Sequence, residues 1–111
     1  MYSRDRNLQA ATSEAANTLQ PMLEDRLKGL AKAASWPEKV ISALTVDFDG
    51  SNLIIKYPDN MAEEIDDLEY GKPYGLPNPV FYPFITRNQD LIQDVLALNT
   101  LDFIMETEEV F

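Results

Sequence analysis

The side chains able to do chemistry in this sequence are mostly carboxylates, and their spacing is the first thing to weigh. Of 111 residues none is histidine and none is cysteine. That removes thiolate nucleophiles, zinc–thiolate sites and disulfides. It also removes the side chain whose unperturbed pKa lies nearest neutrality, the commonest general base and metal ligand. The densest group of acids is Asp59, Glu63, Glu64, Asp66, Asp67 and Glu69. Hard cations favour such oxygens, but a calcium loop needs ligands at set alternating positions and a glycine for its sharp turn. That pattern is absent, and a solvated helix face accounts for the same residues. Paired carboxylates also serve glycoside hydrolysis, yet any acidic chain contains pairs, and sequence spacing does not fix their separation in space. Gly71 and Gly75 do not make a phosphate-binding loop. No catalytic residue, metal or cofactor is expected from these residues, and the protein is expected to be non-enzymatic.

The net charge of −10 is unevenly placed. Residues 1–36 carry five basic and four acidic side chains, a net +1, and the remaining residues carry −11. So acidic a surface repels nucleic-acid phosphates at close range, which argues against a conventional DNA grip. It suits a solubilising face, or a surface that DNA must pass without sticking. The polar start, Met1-Tyr2-Ser3-Arg4-Asp5-Arg6, lacks the apolar core of a secretory signal. No run approaches the ~18 apolar residues of a membrane span, so no membrane partner is expected.

These groups must be positioned by a single domain, given the length. Leu8, Ala11, Ala15, Leu19, Met22, Leu23, Leu27, Leu30 and Ala34 recur at three- and four-residue steps and predict a long helix over 8–34. At 1.5 Å per residue it would span roughly 40 Å, long for so small a body. Pro21 lies inside it and predicts a bend, because proline removes a backbone bond and clashes one turn back. Trp36-Pro37 breaks the helix, and a short helix follows to about Leu44. From Thr45 the period is two: Val46 and Phe48, the turn Asp49-Gly50-Ser51-Asn52, then Leu53 to Tyr57. This predicts a β-hairpin over 45–57. Residues 59–69 form a short helix or irregular turn, with Leu68-Glu69-Tyr70 a candidate strand. The stretch 71–83 holds Pro73, Pro77, Pro79 and Pro83 and is too proline-rich for a central strand, so it is read as an extended loop. A helix over 86–103 follows, with a frayed acidic tail. The fold class expected is therefore α+β: a long N-terminal helix packed on a small antiparallel β-sheet, with a C-terminal helix.

The aromatic–proline segment has two readings. It could be a tight loop capping the core, with prolines limiting unfolded-state entropy. It could instead be a semi-rigid arm that presents Tyr74, Leu76, Phe81 and Tyr82 to a neighbouring subunit, since aromatics are enriched at interface centres.

Taken in order, the long helix, the hairpin, Glu69-Tyr70-Gly71, a variable loop, the run Pro77-Asn78-Pro79-Val80-Phe81-Tyr82-Pro83-Phe84 and a closing helix resemble a known family. The sequence is similar to the tail-completion, or neck (head–tail joining), proteins of tailed bacteriophages. In these an acidic–aromatic–glycine triplet precedes a proline-containing loop and an apolar–proline run that opens the last helix. The chain departs from the pattern at Tyr82, where an arginine is usual. The resemblance implies a structural virion protein of the neck, assembled in the host cytoplasm as a homo-oligomeric ring, hexamer or dodecamer. It implies contacts with adjacent connector and tail-tube proteins, and DNA passing through without specific binding. Its candidate interface residues are Tyr70, Gly71, Tyr74, Leu76, Pro79, Phe81, Tyr82 and Phe84. The alternative drawn from charge alone is an acidic intracellular regulator or DNA-mimic inhibitor.

Overall fold

The computed structural model describes residues 2–49, 51–71, 76–98 and 100–108, with side chains from residue 14 onward. Helix α1 (Tyr2–Ala33) is followed by α2 (Glu38–Ala43), strands β1 (Thr45–Asp49) and β2 (Asn52–Pro58), and a 3-10 turn (Asp59–Met61). Helices α3 (Ala62–Tyr70) and α4 (Phe81–Leu96) come next, then strand β3 (Asp102–Glu108).

The expected architecture needs correcting. The described chain has four helices and a small open sheet of three strands, in the order β1-β2-β3. It is not one long helix and one C-terminal helix flanking an antiparallel sheet. β1 and β2 pair antiparallel, with Val46 opposite Ile55, whereas β2 and β3 pair parallel, with Ile54 opposite Ile104. A parallel pair requires a crossover, and here the connection from β2 to β3 carries α3 and α4. The expected helix over 86–103 is displaced at both ends, and the last described element is a strand. Ala97 adopts the left-handed conformation (φ 53°), and the Leu98 N–H reaches back to the Gln93 carbonyl at 2.9 Å. That bond and the Ala97 N–H to Asp94 carbonyl contact close the helix C-terminus as a Schellman-type cap. At the other end Pro83 sits in the first turn of α4, where a missing N–H breaks no helical bond.

α1 runs through Pro21 without interruption. The carbonyl that loses its donor belongs to Asn17, and Asn17 and Pro21 are both exposed, so water can serve it. Leu19, Leu23, Leu27 and Ala31, each four residues on, are buried along one stripe. It faces a matching stripe of α4: Phe84, Asn88, Ile92 and Leu96. The inner face of the sheet adds Val46, Leu53, Ile55 and Tyr57, and Trp36, Val40, Ile41 and Leu44 seal the α1–α2 corner. Because 32 residues of helix are ~48 Å long, the molecule is elongated, 57 × 32 × 19 Å.

α1 also closes one edge of the sheet. The Gln20 Nε2 donates to the Val46 carbonyl at 2.7 Å, and the Val46 N–H donates to Glu24 Oε1 at 3.0 Å. Two side chains one helical turn apart thereby satisfy both outward backbone groups of one edge residue, a direct way to stop further pairing at β1.

Candidate assembly surface

The segment that carries the resemblance is organised by Glu69. This residue is 5% exposed, at the last turn of α3. Its carboxylate accepts the backbone N–H groups of Val80 at 2.7 Å, Phe81 at 2.9 Å and Tyr82 at 3.3 Å. Those are the donors left without partners at the start of α4, where no residue of α4's own N-cap supplies a side-chain bond. The negative charge also lies at the positive end of the helix dipole. One carboxylate thus ties the end of α3 to the start of α4, and the loop between them is closed at its base.

Gly71 makes the chain's departure from α3 possible. It is the C-cap in the left-handed region (φ 73°), and its N–H donates to the Asp67 carbonyl at 2.8 Å. Side chains other than glycine rarely adopt that conformation.

Asn78 fixes the return of the loop. Its N–H donates to the Leu68 carbonyl at 2.9 Å, and its own carbonyl accepts the Trp36 indole N–H at 2.9 Å. Its side-chain amide donates to the Ala34 carbonyl at the end of α1. One residue therefore joins α1, α3 and the Trp36 corner.

The candidate interface residues fall into two groups. Phe81 and Phe84 are buried in the chain's own core. Phe81 stacks on Tyr57 (ring centroids 6.2 Å, interplanar angle 15°) and meets Trp36 edge-on (5.5 Å, 76°). Both rings are taken up by the chain's own core, so the exposed surface here belongs to the other candidates. Leu76 (91% exposed), Tyr82 (70%), Pro79 and Tyr70 point outward, and Gly71 is half-buried. Tyr74 lies outside the described residues.

Two open depressions lie elsewhere, between α1 and α4. One of about 450 Å³ is lined by Glu14, Ala15, Thr18, Leu19, Met22 and Val95 and is apolar. The other, about 330 Å³, is lined by Arg26, Gly29, Leu30, Arg87 and Asn88. Buried Asn88 explains itself: its Nδ2 donates to the Phe84 carbonyl and its Oδ1 accepts Arg26 Nη1, both at 2.7 Å. Among the described residues no group of three or more acidic side chains is arranged to hold a metal ion. No helix is long and apolar enough to cross a membrane among them. Burial, then the negative charge of Asp66 and the proximity of Tyr70, push the Tyr57 phenol above the usual tyrosine range.

No family model, curated protein or solved structure matches this chain. The functional reading rests on the residues themselves.

Sequence reasoning did not find the roles of Glu69 and Asn78. Glu69 stands eleven residues before its nearest donor, and nothing in local spacing signals a bond of that range. Two of the partners of Asn78 lie 42 and 44 positions away on the α1–α2 corner, beyond the reach of local spacing.

Proposed function

We propose that this chain is a structural subunit of a tailed-phage neck, assembling with copies of itself into a ring at the head–tail junction. In this reading it joins connector to tail tube and lets DNA pass without holding it. The observation that carries it is the Glu69 bond to the opening turn of α4. It gives a physical reason for the two halves of the motif to occur together: the acid of Glu69-Tyr70-Gly71 caps the helix that the aromatic–proline run begins. The result is a fixed junction between α3 and α4, beside which Leu76 and Tyr82 are exposed. Covering large apolar side chains such as these would remove their surface from water and favour association. A neighbouring subunit is the cover proposed here. The net charge of −10 suits a passage that DNA crosses without adhering.

Sedimentation velocity and negative-stain microscopy of the purified protein, with mass spectrometry of phage particles, test the reading. Rings, or the chain's presence in particles, are expected. A protein that stays monomeric and is absent from particles overturns it. A stable monomer that instead captures one basic partner would favour the acidic-regulator reading.

A further inference from the structure

We infer that the free edge of β3 is a docking site for an extended segment of a partner chain, one that alternates basic and apolar residues. The inference rests on the sheet alone and holds whether or not the chain belongs to a phage neck.

The two edges of the sheet are treated differently. At β1 the outward backbone groups of Val46 are taken by Gln20 and Glu24. At β3, among the described residues, no element covers the edge, and its seven residues pair with β2 along their whole length. Edge strands are normally kept short or covered; this one is long and open. Its polarity is readable. The Asp102 N–H donates to the Ser51 carbonyl at 3.0 Å, so Asp102 points its backbone toward β2. By alternation Ile104, Glu106 and Glu108 do likewise, and Phe103, Met105 and Thr107 turn their N–H and C=O groups to the open side.

The side chains define what fits there. One face of β3 carries Asp102, Ile104, Glu106 and Glu108, and shares the sheet's outer surface with Asp47, Ile54 and Lys56, the lysine standing opposite Glu106 on the inner side of the strand. The other carries Phe103, Met105 and Thr107, beside Leu53, Ile55 and Tyr57 of the core face. Ile104 and Met105 are each 39% exposed. An added strand would place alternate residues against the acidic face and the rest beside Met105. Lysine or arginine suits the first set and aliphatic residues the second. A second copy of β3 is disfavoured, since its acids would fall opposite these acids.

The test uses the full chain and a capped, fluorescein-labelled peptide of alternating lysine and valine, seven residues to match β3. Fluorescence anisotropy at low salt should show binding, and hydrogen exchange should slow at the amides of Phe103, Met105 and Thr107. A peptide with glutamate in place of lysine should bind at least about tenfold more weakly, a fold-change within reach of a few cross-strand charge pairs. Met105→Pro removes an open-side donor without breaking a bond to β2, so it should abolish binding at unchanged thermal stability. Should that variant unfold, Glu106→Lys with Glu108→Lys still decides the matter by reversing the preference between the two peptides. Equal binding of both peptides, protection elsewhere than β3, or a dimer with protected β3 amides in the absence of peptide each overturns the inference.

Discussion

The buried carboxylate of Glu69 lies 2.7 Å from the backbone nitrogen of Val80 and joins the end of α3 to the start of α4. Three N–H groups converge on it. Glu69→Ala leaves them with no acceptor in a buried site. The expected loss is about 2–3 kcal/mol, from removing charge-assisted bonds and stranding their donors. Glu69→Gln keeps one oxygen and gives up the charge, so roughly 1 kcal/mol is expected. Urea unfolding followed by Trp36 fluorescence reads both. Equal losses in the two variants would mean that packing, not the carboxylate, holds the joint.

Two glycines should respond to alanine with opposite signs. Gly71 has φ 73°, where a Cβ is strained, so Gly71→Ala should destabilise by about 1 kcal/mol. Gly29 lies inside α1, and an added Cβ there would meet nothing within 4 Å. Gly29→Ala should therefore stabilise by about 0.5–1 kcal/mol, through helix propensity and a less free unfolded chain. Thermal melts of the two variants side by side test the pair.

Covering of the β1 edge by α1 can be undone without touching the core. Gln20→Ala with Glu24→Ala would leave the Val46 N–H and C=O unpartnered at a half-buried edge. A loss of about 1–2 kcal/mol is expected, together with concentration-dependent association through the exposed strand. Light scattering over a dilution series would detect the second effect. A double variant as monodisperse as the parent would show that the edge needs no cover.

The raised pKa of Tyr57 has a sign that can be worked out. Burial, with Asp66 and Tyr70 nearby, disfavours the phenolate in the folded state. The folded chain then holds its proton more tightly than the unfolded one. Stability is fully present below the ordinary tyrosine pKa and is lost as pH rises from about 10 through the folded value. Urea midpoints measured up the alkaline range should fall more steeply for the parent than for Tyr57→Phe. Parallel curves would place the loss on other groups.

The architecture was not legible as a whole, but single elements were, where burial follows local period. Leu19, Leu23, Leu27 and Ala31 keep a helical step and form the buried stripe of α1. Val46 alternates with exposed Asp47 in β1, as a half-buried strand should. The sequence was less legible where a distant partner decides. Leu98 and Leu101 continue the apolar face of α4 at face value, which predicts a helix running on to residue 103. What ends the helix is Ala97 in a left-handed conformation that local propensity does not favour for alanine. What makes 102–108 a strand is the edge of β2, about fifty residues earlier. Phe81 and Phe84 looked like interface aromatics because they sit among prolines. The Glu69 cap draws that run into a helix, and the helix turns both rings inward.

The surface proposed for assembly is open to a direct test. Leu76 and Tyr82 are the most exposed large apolar side chains among the described residues. Neither supports the fold: both stand clear of the buried cluster around Phe84. Leu76→Asp with Tyr82→Ala should therefore leave the folding midpoint within about 0.5 kcal/mol of the parent, as surface changes usually do. Self-association should behave differently. Interface energy concentrates in a few buried aromatic and aliphatic anchors, and removing one typically costs about 2 kcal/mol or more. Losing two, with a charge placed at one, should weaken assembly at least a hundredfold. Sedimentation velocity across a concentration series reads this directly. If assembly persists at the parent concentration, the contact lies elsewhere, and the apolar groove at Met22 and Val95 becomes the surface to mutate next.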